Sequence, residues 1–464
     1  MREEIVWAEP SFRGVIGISR ADITPPDGIY ARNWGAALHE SARGLHRSLT
    51  VTAMTFQTDA DAVPMVLLSA DLGWWRDKHD EAFVRGAVLD ALQVPEANVL
   101  LCLTHTHAGP SLCRSDREHE GGAMVAPYLE QLRQTLAAAA REALRTARPA
   151  TLTVGTGTCA LAVNRDLPDP DDPRRFLTGF HPAAFPSDQT LLVGRITDDA
   201  GAVIGTLVNY ACHPTTLGPA NREISPDFVG AMREMVEAAT GNAPCLFLQG
   251  ASGELAPREQ YVGDTDVPDA HGRCLGYAVL STLAGMLPPR QRLAFGGALA
   301  SGAPLALWNR EQFAPPPAPC HAEQLLLPLP LRPMPSREEI RREIDCPVPD
   351  TAATREKLAR RLQVRDYVGD GDAVSYPVWV WRVGRIAFVA HPGEAYSALQ
   401  TALRAAVPDA AVFVVNVANG WYGYLPPAHL YEKELYAAKQ TPLAAGCLEV
   451  MIAAVRDRLQ EGTA

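Results

Sequence analysis

The chain has 464 residues, 47% hydrophobic and 20% charged, the balance of a globular protein long enough to bury a large core. Its net charge is −11 and only four of its 42 basic residues are lysines; the arginines are scattered rather than gathered into a stripe, which argues against nucleic acid as a partner. The start, Met1-Arg2-Glu3-Glu4-Ile5, is charged, no stretch nears the roughly 18 apolar residues of a membrane span, and the nine cysteines include no CxxC; a reduced, cytoplasmic protein with no signal peptide and no structural zinc site is the expectation.

Strands and helices alternate from about residue 14 to 151. The runs 49–57 and 63–70 are apolar or β-branched, the second ending at Asp71, while 78–92 and 125–148 are amphipathic and predict helices. Between those helices, Val99-Leu100-Leu101-Cys102-Leu103 runs into Thr104-His105-Thr106-His107-Ala108-Gly109-Pro110. A strand over 151–161 leads to Asn164-Arg165, and 166–188, rich in Pro and Asp, predicts a long loop able to form a lid. Further on, Gly205-Thr206-Leu207-Val208-Asn209-Tyr210 enters Ala211-Cys212-His213-Pro214, and Cys245-Leu246-Phe247-Leu248 enters Gln249-Gly250-Ala251-Ser252-Gly253-Glu254. Helices are expected over 226–240, with a proline in the first turn, and over 267–287.

Residues 313–350 are proline-rich and read as an insertion within one domain rather than a linker; inside it, Ser336-Arg337-Glu338-Glu339 has the form of a capping box. A hairpin over 376–390, turning at Gly384, delivers its second strand to His391-Pro392-Gly393-Glu394, and Val412-Phe413-Val414-Val415 leads to Asn419-Gly420-Trp421-Tyr422-Gly423-Tyr424. The expected fold is α/β, with mixed β-sheets flanked by helices, in a single domain over 1–464. Ligands of such proteins sit beyond the carboxyl ends of the strands, where this chain concentrates its histidines, a glutamate and a tyrosine.

Each of these residues also has an ordinary reading. His105 and His107, at i and i+2, point the same way if the strand continues, one to a metal and the other to substrate; they fit equally well as hydrogen-bonded loop histidines. His213 fits a satisfied strand-end histidine, Glu394 a cap for a helix starting near Ala395, and Tyr424 and Tyr436 core or surface aromatics. Asp71 is either a turn residue or a carboxylate that orients a ligand histidine. Two histidines, a glutamate and a tyrosine oxygen form a reasonable shell for one zinc ion, although manganese or iron also accepts N and O donors. HExxH, P-loop, GxSxG and GxGxxG signatures are absent.

In this order, from Gly17-Ile18-Ser19-Arg20-Ala21-Asp22-Ile23-Thr24-Pro25 to the late tyrosines, the segments resemble the neutral/alkaline (non-lysosomal) ceramidase family, most specifically at residues 104–110. The resemblance implies a Zn2+-dependent hydrolase of the amide bond in N-acyl sphingoid bases. It implies His105, His213, Glu394 and Tyr424 as metal ligands, His107 beside the substrate amide, Arg165 as an active-site arginine and Tyr436 as an oxyanion stabiliser. Two features depart from the family. The segment Gly253-Glu254-Leu255-Ala256-Pro257 has Ala256 where ceramidases carry a serine of assigned catalytic role, and no C-terminal immunoglobulin-like domain like theirs is expected after the catalytic region. The expected activity is therefore hydrolysis of a small-molecule linear amide or acyl substrate by metal-activated water. Lactone, ester or cyclic amide hydrolysis, or a non-catalytic binder of acyl amides, are the alternatives, and an oligomer is compatible with the sequence.

Overall fold

A computed structural model of the chain describes residues 5–461 apart from 173, 185, 186, 317 and 350. An eight-stranded sheet runs in the order Cys245–Gln249, Val203–Tyr210, Thr190–Asp198, Arg148–Thr158, Ser11–Asp22, Thr50–Gln57, Met65–Ala70, Val99–Leu103. Its middle is antiparallel, but the outermost pair at each end is parallel. A four-stranded sheet, Cys320–Pro330, Ala373–Val383, Ile386–Ala390 and Ala411–Val415, ends in a third parallel pair.

Period-two alternation decides how these sheets are covered. Met54, Phe56, Met65 and Leu67 of the large sheet pack with Trp379, Trp381, Phe388 and Phe413 of the small one, so the two sheets lie face to face. Their neighbours Val51, Ala53, Val66 and Leu68 point the other way, with Val84, Val88 and Leu132 of the helices Lys78–Leu92 and Val125–Arg145. Val389, Val412 and Val414 likewise turn towards Leu403 and Met451 of Ala398–Ala406 and Cys447–Glu461. The outcome is a helix, sheet, sheet, helix stack. Among the described residues no helix is long and apolar enough to cross a membrane.

The expected strands and helices are present, with local differences. The helix from Val125 ends at Arg145, because Arg148 already belongs to the next strand. The 166–188 segment contains a small hairpin, Asp166–Pro168 with Phe176–Thr178. In the proline-rich 313–350 stretch the capping box forms as expected, Ser336 accepting from the Glu339 N–H while the Glu339 carboxylate accepts from the Ser336 N–H. The same stretch supplies an edge strand, Cys320–Pro330, where proline is tolerated because one side of the strand needs no partner. The helix after Glu394 begins at Ala398, and the carboxylate that takes up the Ser397 N–H is that of Glu254, so Glu394 is not a helix cap.

Asp71 does not orient a ligand histidine. It is fully buried and forms a two-pronged ion pair with Arg233, at 2.7 and 2.8 Å, while also accepting from Thr50. The pair joins the end of Met65–Ala70, the strand beside the one that leads into the histidine loop, to the helix Phe228–Ala239. Truncating one member of a buried pair leaves the other charge uncompensated. Arg233→Ala is therefore expected to lower the unfolding free energy by about 3–5 kcal/mol, read as an earlier denaturant midpoint; an unchanged midpoint would show the pair to be dispensable.

Candidate active site

The three parallel strand pairs end at one place. Leu103 N–H donates to Val417 O at 3.2 Å, Asn416 N–H to Gln249 O at 2.9 Å, and the Asn419 side chain bonds Leu101 N–H and Val99 O, both at 2.8 Å. These cross-links draw the carboxyl ends of strands from both sheets together, and the loops leaving them carry the candidate residues. Glu394 and Tyr424 lie opposite each other in a two-stranded parallel ribbon, which explains how residues thirty apart come into register.

The strand stops at Leu103, so His105 and His107 do not share an extended strand. His105 sits at φ 70°, a conformation that non-glycine residues adopt rarely and that recurs where local structure over-determines the backbone. Its N–H is held by Leu72 O at 2.9 Å. The turn still brings the two rings within 5.0 Å of one another, by another route than side-chain alternation.

His105 Nε2, His213 Nε2 and Glu394 Oε2 form a compact triangle with sides of 3.2, 3.0 and 3.4 Å. All three residues are buried. His105 Nδ1 lies 3.0 Å from Gly73 O and His213 Nδ1 2.6 Å from Ser252 O. A carbonyl only accepts, so each Nδ1 carries a proton and each ring turns its Nε2 towards the triangle. Burial, then Arg165, pushes the His213 imidazole down to about 3. Burial alone would raise Glu394, but the two imidazoles overrule it and hold the carboxyl well below its usual range. Two imidazole nitrogens and a carboxylate oxygen thus converge on one space.

A cation placed in that space could be bound by all three atoms at once. Tetrahedral zinc with ligand bonds of about 2.0–2.1 Å separates its ligand atoms by about 3.3–3.4 Å, close to the three sides observed. Backbone carbonyls on both Nδ1–H groups are the outer partners that metal-bound histidines characteristically have. His107 belongs to the same buried group: ring nitrogens of His105, His107 and His213 lie within 4.8 Å of one another, in an arrangement able to hold a metal ion. Both His107 nitrogens are covered and lack a hydrogen-bond partner, and burial, followed by His105 and His213, keeps its pKa well below the ordinary value.

Arg165 Nη2 lies 3.2 Å from His213 Nε2 and donates to the Tyr424 hydroxyl at 3.2 Å and to Gly253 O at 2.9 Å. The Tyr424 ring stacks parallel to His213 and meets the Tyr436 ring edge-on at 5.7 Å. Tyr436 is 45% exposed, and burial, then Glu394, raises its phenol above the ordinary value. All seven residues expected from the sequence therefore gather in one region.

Sequence reasoning missed an aromatic lining. Trp34 and Trp74 flank His107 with centroids at 4.9 Å each, Tyr261 meets Trp34 edge-on, and Trp421 Nε1 donates to Glu394 Oε1 at 2.7 Å. Trp421 lies within a loop whose pattern was visible; Trp34 and Tyr261 follow no strand-end pattern and leave no comparable signal. Ala256 is buried in the short strand Leu255–Pro257, and the nearby Ser252 hydroxyl is occupied by Gln249 Nε2 at 2.6 Å.

A mixed α/β scaffold that gathers imidazoles and a carboxylate at its strand ends defines a class of proteins with a site able to hold a metal ion. Within that class the chain belongs to the neutral/alkaline non-lysosomal ceramidase family, whose N-terminal model matches residues 15–256. The match includes His105, His107, Arg165 and His213, while Glu394, Tyr424 and Tyr436 lie beyond it. A solved ceramidase complexed with C2 is similar at 16% identity and a TM-score of 0.67, over 97% of this chain and 76% of that one. The neutral ceramidase of Pseudomonas aeruginosa is similar at 16% identity and a TM-score of 0.64, over 97% of this chain and 75% of that one. At such identity the likeness carries the fold.

Proposed function

We propose that the protein is a zinc-dependent amidohydrolase that cleaves a linear N-acyl amide, with an N-acyl lipid amine as the substrate class that its ceramidase relatives suggest. The observation that carries the reading is the compact triangle of His105 Nε2, His213 Nε2 and Glu394 Oε2. Those three residues would hold the ion, with Tyr424 as the fourth ligand. When bound, zinc supplies Lewis acidity and a water with its pKa lowered to roughly 7. His107, kept neutral by burial, accepts a proton during attack and returns it to the departing amine. Arg165, which Tyr424, Tyr261 and Glu394 keep firmly protonated against the effect of burial, and the Tyr436 hydroxyl donate to the developing oxyanion.

With Ala256 in the serine position, direct attack by water is the natural route. Hydrolysis of a panel of N-acyl amines, esters and lactones, before and after chelation and after zinc is restored, tests the proposal. Amide cleavage that is lost on chelation and regained with zinc supports it; equal rates for the metal-free protein would sink it, and a preference for lactones or esters would move the reaction to those bonds. Ala256→Ser is expected to form no acyl-enzyme, because water rather than a side-chain hydroxyl is the nucleophile in this reading. Intact-protein mass spectrometry after substrate addition checks this, and a covalent acyl adduct would contradict it.

A further inference from the structure

The loop of His105 and His107 and the loop of His213 are far apart in the chain, yet one short segment touches both. It is Ser225-Pro226-Asp227, which leads into the helix Phe228–Ala239. On one side Thr106, the residue between the paired histidines, donates its hydroxyl to Ser225 O at 2.7 Å, and Ser225 N–H donates to Ala108 O at 2.9 Å. On the other side Asp227 Oδ2 accepts from Leu217 N–H at 2.9 Å, four residues after His213. Little slack separates Leu217 from His213, because Pro214 has a fixed φ and Thr215 N–H turns back onto His213 O at 2.9 Å. Thr106, Ser225, Asp227 and Leu217 are all buried.

Helix capping accounts for only half of what Asp227 does. Its Oδ1 accepts from Phe228 N–H at 2.7 Å, at the start of the helix. An ordinary cap, however, keeps an extended backbone and bonds the second or third N–H of its helix. Asp227 instead has φ 53° and ψ −146°, a combination that glycine adopts readily and aspartate does not. Its second oxygen leaves the helix altogether for Leu217. Burial also pushes the carboxyl up to about 6. A serine in the usual cap conformation would start the helix with neither the strain nor the buried carboxylate. A residue held in this way persists where its surroundings over-determine it, and such residues gather at functional sites.

We propose that Asp227 is a positioning residue of the active site, which sets the spacing between the loop of His105 and His107 and the loop of His213. The inference rests on the zinc reading of His105, His213 and Glu394. The support behind Asp227 is firm. Ser225 Oγ takes up Asp227 N–H at 3.0 Å and lies 2.9 Å from His46 Nδ1, while the ion pair of Arg233 with Asp71 ties down the helix that follows. A shift of either loop changes the 3.2 Å between His105 Nε2 and His213 Nε2 on which a shared ion depends.

Calorimetric zinc titration of the metal-free full chain, with denaturant unfolding of the same protein, is the test. Asp227→Gly relaxes the backbone and removes the carboxylate. Asp227→Asn keeps the size and one acceptor but turns an NH₂ group towards Leu217 or Phe228. Each is expected to weaken zinc binding by roughly 10-fold or more, the low end for an outer partner of a metal ligand. The unfolding midpoint of the glycine variant should stay near that of the wild type, since strain released offsets bonds lost. Wild-type zinc affinity in either folded variant would overturn the proposal by showing that the spacing does not depend on Asp227. Loss of the fold in both variants would overturn it by reducing the residue to a structural role. Failure of the zinc reading is separable from these outcomes, because there the unaltered chain itself binds no zinc or keeps it after His213→Ala.

Discussion

His213→Ala is expected to strip the protein of stoichiometric metal and to lower kcat/KM by about 10³-fold or more. His213 is the vertex of the site: its Nε2 lies 3.2 Å from His105 Nε2, 3.0 Å from Glu394 Oε2 and 3.2 Å from Arg165 Nη2. Without the ring, the remaining imidazole and carboxylate no longer close a tetrahedral face, and the ion's transition-state stabilisation of several kcal/mol disappears with it. At about 1.4 kcal/mol per factor of ten, that loss corresponds to about 10³-fold or more in rate. The fold should survive. The local cost is the hydrogen bond to Ser252 O, in the range of about 1–3 kcal/mol for a buried acceptor left unsatisfied. Elemental analysis of the purified variant, with circular dichroism as the control, decides the matter. A folded variant that keeps one metal per chain would remove His213 from the ligand set and, with it, the geometric basis of the proposed hydrolase.

Much of this site was legible in sequence because its donors stand directly after buried strands. The runs ending at Leu103, Tyr210, Ala390 and Val415 are fully or almost fully buried, and each is followed within ten residues by a group now found in the cluster. Apolar continuity marks such strands, and the ends of parallel strands are where a site can be built. Other features left no such trace. The pairing of Asp71 with Arg233 spans 162 residues, and no local pattern distinguishes a strand-end acid that meets an arginine from one that meets a histidine. The left-handed turn at His105 was equally invisible, because a threonine-histidine alternation reads as extended strand until Leu72 and Gly73 bind its N–H and ring. The hairpin formed by 291–299 and 305–312 carries apolar residues on both faces and so lacks the alternation that identifies a half-buried strand.

His107→Ala separates holding the ion from using it. Two ligand sets are geometrically available, the three histidines alone or His105 and His213 with Glu394. The second is favoured by charge, since a carboxylate held ionised offsets a divalent ion in a buried site, whereas a third imidazole adds no negative charge. It is also favoured by distance, because the Glu394 oxygen already stands at tetrahedral spacing from both rings. His107, by contrast, is wedged between Trp34 and Trp74 with both nitrogens unpaired, as suits a group whose partner arrives with the substrate. The expected result is full metal content and a loss of roughly 10²–10⁴-fold in kcat, the usual contribution of a positioned acid–base group. Glu394→Gln should do the reverse and release the metal. If His107→Ala instead empties the site while Glu394→Gln leaves it loaded, the ion rests on three histidines, and proton transfer to the leaving amine must be assigned to another side chain.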